Sequence, residues 1–94
     1  MDRTLNSVVH ELKIKPEYFL AVRSGHKKFE LRKNDRNFKI GDELILCEWD
    51  ENGYSGEKVR CRIEYLLKGH DGLGEDYVIL GISLIHYGST YAND

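Results

Sequence analysis

The fold is decided by a nine-residue stretch, SGHKKFELR at positions 24–32. Its Ser24-Gly25 pair is typical of a helix end, because glycine readily adopts the left-handed conformation that closes many helices. The residues that follow alternate between charged and apolar side chains, and this period of two predicts a strand with one buried face. We therefore expect a helix that stops here and a strand that follows, with Phe29 and Leu31 facing the core.

The segment before this stretch predicts a strand and a short helix. Residues 10–14 alternate polar and apolar side chains, as a half-buried strand does. A proline then suits the first turn of a helix, which we place at residues 16–24. Tyr18, Phe19 and Val22 can share one helical face, so we expect these three side chains to pack on the core.

The segment after this stretch predicts three more strands, separated by turns and a glycine-rich loop. We place them at residues 43–49, along a run that ends at Leu67, and at residues 77–85. Gly81, inside the last of them, is typical of a bulge. The long middle strand carries five apolar residues on one face: Val59, Cys61, Ile63, Tyr65 and Leu67.

These elements indicate an α+β fold that is mainly β. One short helix and five or six strands, joined by short turns, predict a small closed or nearly closed barrel with the helix packed on it. The 94 residues suffice for one core, which we place in a domain of residues 8–87. Residues 1–7 and 88–94 are polar and patternless, and we expect them to be tails.

Positive charge is concentrated in the first half of the chain. The net charge of −2 removes the usual global argument for nucleic-acid binding, because phosphate contacts normally appear as a basic surplus. Nine of the 14 Lys and Arg residues nevertheless fall between positions 13 and 39, and the acidic surplus lies mostly after position 40. Any anionic ligand must therefore bind to a local group of basic residues rather than to a generally basic surface.

Several classes of protein are not indicated. Cys47 and Cys61 have neither a CxxC spacing nor neighbouring histidines, so we expect buried thiols, no metal site and no cofactor. The longest apolar run is far shorter than the roughly 20 residues that a membrane helix needs. We expect a cytoplasmic protein, a monomer or weak dimer, with no membrane partner.

Four residues of the opening stretch carry a family resemblance. Gly25, Lys27, Glu30 and Arg32 match the GxKxxExR pattern of ASCH domains, which belong to the PUA-like superfamily. The wider runs HELKIKPEYF at 10–19, GHKKFELRKNDRNFKIGDELIL at 25–46 and YVILGI at 77–82 resemble a small bacterial and phage branch of ASCH-like domains. The resemblance covers about residues 8–82 and implies a PUA-like barrel.

The same four residues form the candidate site. Alternate residues of a strand share a face, so Glu30 and Arg32 project together, whereas Lys27 enters separately from the turn after Gly25. From spacing alone, a surface ion pair of little energetic value is the favoured explanation of Glu30 and Arg32. The resemblance implies instead that they line a cleft with Lys27. Gly25 is a helix cap under either interpretation.

Three further residues extend the candidate binding set. Lys15 can add a phosphate contact, although a solvated strand end explains it equally well. Asp35 can cap the turn after the second strand and orient Arg32. Trp49, with Tyr54 and Tyr77, can stack on bases at the cleft rim, although aromatic residues in so small a barrel are more often core.

Two functions from different classes follow from the resemblance, with a protein partner as a third alternative. PUA-like domains bind RNA, which implies a module for RNA or a modified nucleotide. Some small ASCH proteins resemble hydrolases that deacetylate modified cytidine, and for such an enzyme or a ribonuclease Lys27 and Glu30 are the catalytic candidates. In those relatives a hydroxyl residue stands at the position of Glu30. A carboxylate there favours the charged ammonium of Lys27 and opposes its use as a base, so we favour binding.

Overall fold

A computed structural model describes residues 7–85 of the chain. The predicted tail at 88–94 and all but the last residue of the tail at 1–7 lie outside this range. The elements in chain order are β1 (Val9–Ile14), α1 (Pro16–Arg23), β2 (Phe29–Lys33), β3 (Glu43–Asp50), β4 (Gly53–Leu67) and β5 (Tyr77–Leu84). The prediction of a mainly β domain with one short helix is confirmed. Within residues 7–85, no helix is long and apolar enough to cross a membrane.

The strands form one curled sheet in the order β1-β3-β4-β5-β2, which makes a half-barrel. β1 pairs with β3 in parallel, and the other neighbours are antiparallel. The two edge strands, β1 and β2, are bridged by arginine side chains. Arg32 Nη2 donates to the carbonyl of Lys13 at 2.6 Å, and Arg36 Nη1 donates to the carbonyl of Glu11 at 3.2 Å. Guanidinium groups therefore close the gap that a fully closed barrel would fill with strand pairing.

The core lies inside the curl of the sheet and is covered on one side by α1. Phe19 and Val22 of the helix are each 1% exposed, and they pack with apolar side chains from β1, β3, β4 and β5. The prediction that Tyr18 joins them is wrong, because this side chain is 45% exposed. A helix of eight residues has only two turns, and the pair at positions i and i+3 already fills its buried face. Tyr18 lies instead beside the candidate site.

The two faces of β2 are the reverse of those predicted. Phe29 and Leu31 are 48% and 54% exposed, whereas Glu30 between them is only 3% exposed. β2 pairs with β5 so that Glu30 stands opposite the fully buried Leu80. Because side chains alternate strictly along a strand, placing Glu30 inward turns both apolar neighbours outward. The expectation that Phe29 and Leu31 face the core is therefore wrong.

A bulge divides the long strand β4. Ile63 pairs with Ile82 and Tyr65 pairs with Gly81, which leaves Glu64 as an extra residue. The apolar face predicted for this strand is correct through Ile63, but Tyr65 is 64% exposed after the shift. Gly81 of β5 does lie at a bulge, but the extra residue is Glu64 on the partner strand β4. A Cβ at Gly81 would lie 3.2 Å from the Cβ of Tyr65, so the close approach needs glycine.

Candidate functional site

A carboxylate with two cationic partners lies at the centre of the site. Lys27 Nζ donates to Oε2 of Glu30 at 2.6 Å, and Arg32 Nε donates to Oε1 of Glu30 at 2.9 Å. The exposed fractions of the three side chains are 4% for Glu30, 16% for Lys27 and 22% for Arg32. This triad of Lys27, Glu30 and Arg32 is thus largely buried, which excludes the alternative of a solvated surface pair.

The end of α1 sets the position of Lys27. Gly25 has φ +84°, and the amides of His26 and Lys27 both donate to the carbonyl of Ala21 at 2.9 Å. A Cβ at Gly25 would meet no atom within 4 Å, so glycine is favoured by its backbone conformation rather than by lack of space. The turn delivers Lys27 to Glu30 from outside β2, as predicted, while Glu30 and Arg32 share the inner face of that strand.

The triad holds its two cations in place and leaves donors free. Lys27 Nζ also donates to the carbonyl of Phe29 at 2.6 Å, and Arg32 Nη2 is fixed by the carbonyl of Lys13. Within the part of the chain that the structure describes, Arg32 Nη1 has no acceptor. Both oxygens of Glu30 are occupied. The carboxylate therefore positions Lys27 and Arg32, and the two cations are the groups that can meet a ligand.

A cleft of about 430 Å³ opens beside the triad. We call it the triad cleft, and its lining residues are Lys13, Ile14, Lys15, Tyr18, Lys27, Phe29, Glu30, Leu31 and Arg32. Four cations face one carboxylate that is already paired, so the cleft is positively charged. Lys27 Nζ lies 5.5 Å from the ring centroid of Tyr18 and 4.7 Å from that of Phe29, within the range of cation–π attraction.

The other three residues predicted from the sequence, Lys15, Trp49 and Asp35, differ in how they relate to the triad cleft. Lys15 lines the triad cleft. Trp49 is linked to it through Lys13, whose Nζ lies 4.5 Å from the centroid of the indole ring. Asp35 does not line the cleft: its carboxylate lies 3.8 Å from Nε of Arg36, and the contacts that orient Arg32 come from Glu30 and Lys13. The prediction that Asp35 orients Arg32 is therefore wrong.

Two aromatic residues of the cleft escape the sequence prediction. Tyr18 and Phe29 line the cleft, whereas apolar periodicity predicts that both face the core. A signal for Phe29 does exist in the sequence. If Glu30 and Arg32 point into the fold, the alternation of the strand requires Phe29 to point outward, next to Lys27.

A cysteine lies beneath the triad. Burial raises the pKa of the Cys61 thiol to about 12, the negative charge of Glu30 acts in the same direction, and Lys27 opposes both. The Cys61 side chain is fully buried in the core. A neutral, inaccessible thiol is not a nucleophile, so the chemistry of the site belongs to the triad and the cleft. Within residues 7–85, no three His, Cys, Asp or Glu side chains are grouped to hold a metal ion.

A known family matches most of the chain. The match covers residues 9–82, from the start of β1 into β5, and the family is described as "Domain of unknown function (DUF3850)". The chain belongs to the DUF3850 family. The match includes the whole triad and every residue of the triad cleft, so the site lies entirely within the DUF3850 domain.

Two further proteins resemble this DUF3850 domain, one in sequence and one in structure. An "Uncharacterized 12.9 kDa protein in GpA 3'region" of Escherichia phage P2 is 46% identical over 72 residues, which cover 77% of this chain and 65% of the phage protein. The chain thus spans just under two thirds of that relative. The crystal structure of "hypothetical protein PH0355" superposes with a TM-score of 0.58 at 18% identity, over 82% of this chain and 99% of the other. This second likeness supports the fold alone.

Proposed function

We propose that this DUF3850 domain is an ASCH-type, PUA-like module that binds RNA or a modified nucleotide in the triad cleft. One observation carries the proposal: a single buried carboxylate holds Lys27 and Arg32 at the mouth of a cleft that also presents Lys13 and Lys15. The ligand must be anionic and must have a flat apolar part.

The anionic part of the ligand is inferred from the fixed donors. The guanidinium of Arg32 can donate from Nη1 to a phosphate oxygen, and its orientation is already set by Glu30 and Lys13. A side chain that is held in place before binding loses little conformational entropy when the ligand arrives. The exposed ammonium of Lys15 can add a second, more flexible contact to phosphate.

The flat part of the ligand is inferred from two exposed aromatic side chains that line the triad cleft. Tyr18 and Phe29 are each nearly half exposed at the same cleft, although both would be expected to avoid water. Aromatic rings beside cations are the usual platform for unpaired bases, because every base has a π-face that can stack. A nucleotide presents both features, a phosphate and a base, within one small molecule.

Binding is favoured over hydrolysis by the state of Lys27. A general base must direct a lone pair at the substrate, whereas Lys27 Nζ is held in place as a donor of hydrogen bonds to the Glu30 carboxylate and to the carbonyl of Phe29. The same residue is well placed to donate to a phosphate. Turnover of N4-acetylcytidine or cleavage of RNA that is lost in Lys27→Ala would assign a hydrolase instead.

The experiment is a titration of labelled single-stranded RNA with the protein, followed by fluorescence anisotropy at several salt concentrations. We expect log Kd to depend linearly on log salt, with a contribution of about 0.7 for each phosphate neutralised. Lys15→Ala should weaken binding and reduce the slope by about that amount. Lys33→Ala is the matched control, because Lys33 is also exposed but does not line the cleft. Absence of binding to RNA pools and to nucleotides at low salt would refute the proposal.

A further inference from the structure

A second cavity continues the triad cleft past the gap between β1 and β2. Its volume is about 690 Å³, and Lys13 and Arg32 line both spaces. We call it the hairpin cavity, because the β3-β4 hairpin supplies Tyr54, Gly56 and Lys58 to its lining. Arg36 adds a further cation. The two spaces therefore meet at Lys13 and Arg32, the residues that bridge the sheet edges.

The hairpin cavity combines cations with an exposed ring, as the triad cleft does, and its four cations outnumber the two carboxylates of its lining, Glu11 and Glu57. Tyr54 stands directly opposite Trp49 in the hairpin and is 61% exposed. The ammonium of Lys13 lies 4.5 Å from the centroid of Trp49 and 5.9 Å from that of Tyr54. Lys13 is thus held on an aromatic pair at one side of the boundary, while its own carbonyl anchors Arg32 at the other.

Three observations argue for one extended ligand rather than two unrelated ones. The two cavities share their cationic boundary, so a group bound there touches both. Each cavity falls within the range of volumes typical of sites for small ligands, about 300 to 1,000 Å³. Each also has its own exposed aromatic residue, with Tyr18 and Phe29 in one and Tyr54 in the other. The shared cations therefore lie between two sets of exposed aromatic rings, each of which can stack on a base.

We infer that the hairpin cavity is a second nucleotide subsite, so that the domain binds two adjacent nucleotides of a single strand with the linking phosphate at Lys13 and Arg32. This inference rests on the proposed function and specifies its ligand. Stacking on Tyr54 requires an unpaired base, and a duplex keeps its bases stacked on one another. The ligand class is therefore single-stranded oligonucleotide rather than free nucleoside or duplex.

The test compares the affinities of a 5′-mononucleotide, a dinucleotide and a longer single-stranded oligoribonucleotide at one low ionic strength. We expect the dinucleotide to bind about 10-fold or more tightly than the mononucleotide, since stacking of one further base contributes roughly that much. Tyr54→Ala should reduce dinucleotide affinity by about the same factor and mononucleotide affinity by much less, and Tyr54→Phe should restore the dinucleotide affinity.

Tyr65→Ala is the matched control, because Tyr65 lies on the same strand and is equally exposed at 64% but is absent from both cavities. It should bind all three ligands as the unmodified chain does. If the mononucleotide binds but the dinucleotide binds no better, or if Tyr54→Ala has no effect on the dinucleotide, the second subsite is refuted while the proposed function stands. If none of the three ligands binds, the proposed function fails and the inference fails with it.

Discussion

Glu30 is the residue whose environment differs most from the ordinary behaviour of its type. Glutamate is almost never fully buried unless it is paired, and here both carboxylate oxygens are paired with cations that remain partly exposed. The cost of removing this charge from water is offset by two short charge-assisted hydrogen bonds. A buried carboxylate whose partners face a cleft is a means of orienting those partners.

Glu30→Gln should therefore destabilise the fold far more than the same substitution in an exposed ion pair. We expect a loss of about 2 to 3 kcal/mol, because Lys27 and Arg32 keep their charges without their counter-ion. Glu43→Gln is the matched control. Its partner Arg60 is 48% exposed, so the loss should be under about 1 kcal/mol. Urea unfolding followed by circular dichroism measures both, and equal losses would contradict the burial of the triad.

The Cys61 thiol predicts how stability changes at alkaline pH. Its pKa is raised from 9.0 to about 12 in the folded state, chiefly by burial. Above pH 9 the unfolded chain loses this proton while the folded chain keeps it, so its contribution to stability is complete below pH 9 and is lost as pH rises toward 12. The free energy of unfolding should fall by up to about 1.4 kcal/mol per pH unit from this group.

The unmodified chain and Cys61→Ala are each unfolded with urea at a series of pH values from neutral upward. The quantity measured is the difference between their free energies of unfolding at each pH. The difference cancels the titration of lysines and tyrosines, and it should change only above pH 9. Cys47→Ala serves as a comparison, because Lys58 counteracts the effect of burial on the pKa of Cys47. A difference for Cys61→Ala that does not vary with pH would contradict the raised pKa.

Among the elements, β2 shows why periodicity predicts a strand but not its orientation. The alternation of Lys28 to Arg32 correctly indicates extended structure, yet it contains two possible buried faces, one apolar and one charged. Hydrophobicity selects the apolar face, whereas the structure buries Glu30. What decides the outcome is Lys27, a partner supplied by the preceding turn, and a partner outside the strand does not enter a calculation of periodicity. Rules based on local pattern fail most readily at sites that bind or react.

The pairing of β4 with β5 depends on one glycine. Gly81→Ala should cost about 1 to 3 kcal/mol, because the new Cβ would lie 3.2 Å from the Cβ of Tyr65, which can move only with the backbone beside the bulge. Gly74→Ala is the control. Its Cβ would meet only the ring of Tyr77, which is exposed and can rotate away. Thermal unfolding of the two variants should show a clearly lower Tm for Gly81→Ala, and similar values would contradict the close approach.

At the scale of the whole molecule, the open edge of the half-barrel and the candidate site are the same place. Turn signals and alternation predict the strands, and a count of strands predicts a small barrel. They do not predict that β1 and β2 stay unpaired, because the bridge consists of Arg32 and Arg36 donating to carbonyls of β1 that lie 19 and 25 positions away. Lys13, Lys15, Lys27 and Arg32 thereby line one cleft at this edge of the sheet, and Arg36 lines the neighbouring cavity.

This local concentration of cations predicts behaviour that the net charge of −2 does not. At about 0.1 M salt the Debye length is about 10 Å, so a polyanion at the edge of the sheet interacts mainly with the cations there. We expect the protein to be retained on immobilised heparin at low salt despite its acidic balance, and to be released as salt is raised. Lys13→Gln with Lys15→Gln should be released at lower salt than Lys33→Gln with Lys68→Gln, although both pairs change the net charge equally. Lys13 and Lys15 line the triad cleft, whereas Lys33 and Lys68 line neither cavity. Identical elution of the two double variants would show that overall charge, rather than the cationic edge between β1 and β2, governs binding of polyanions.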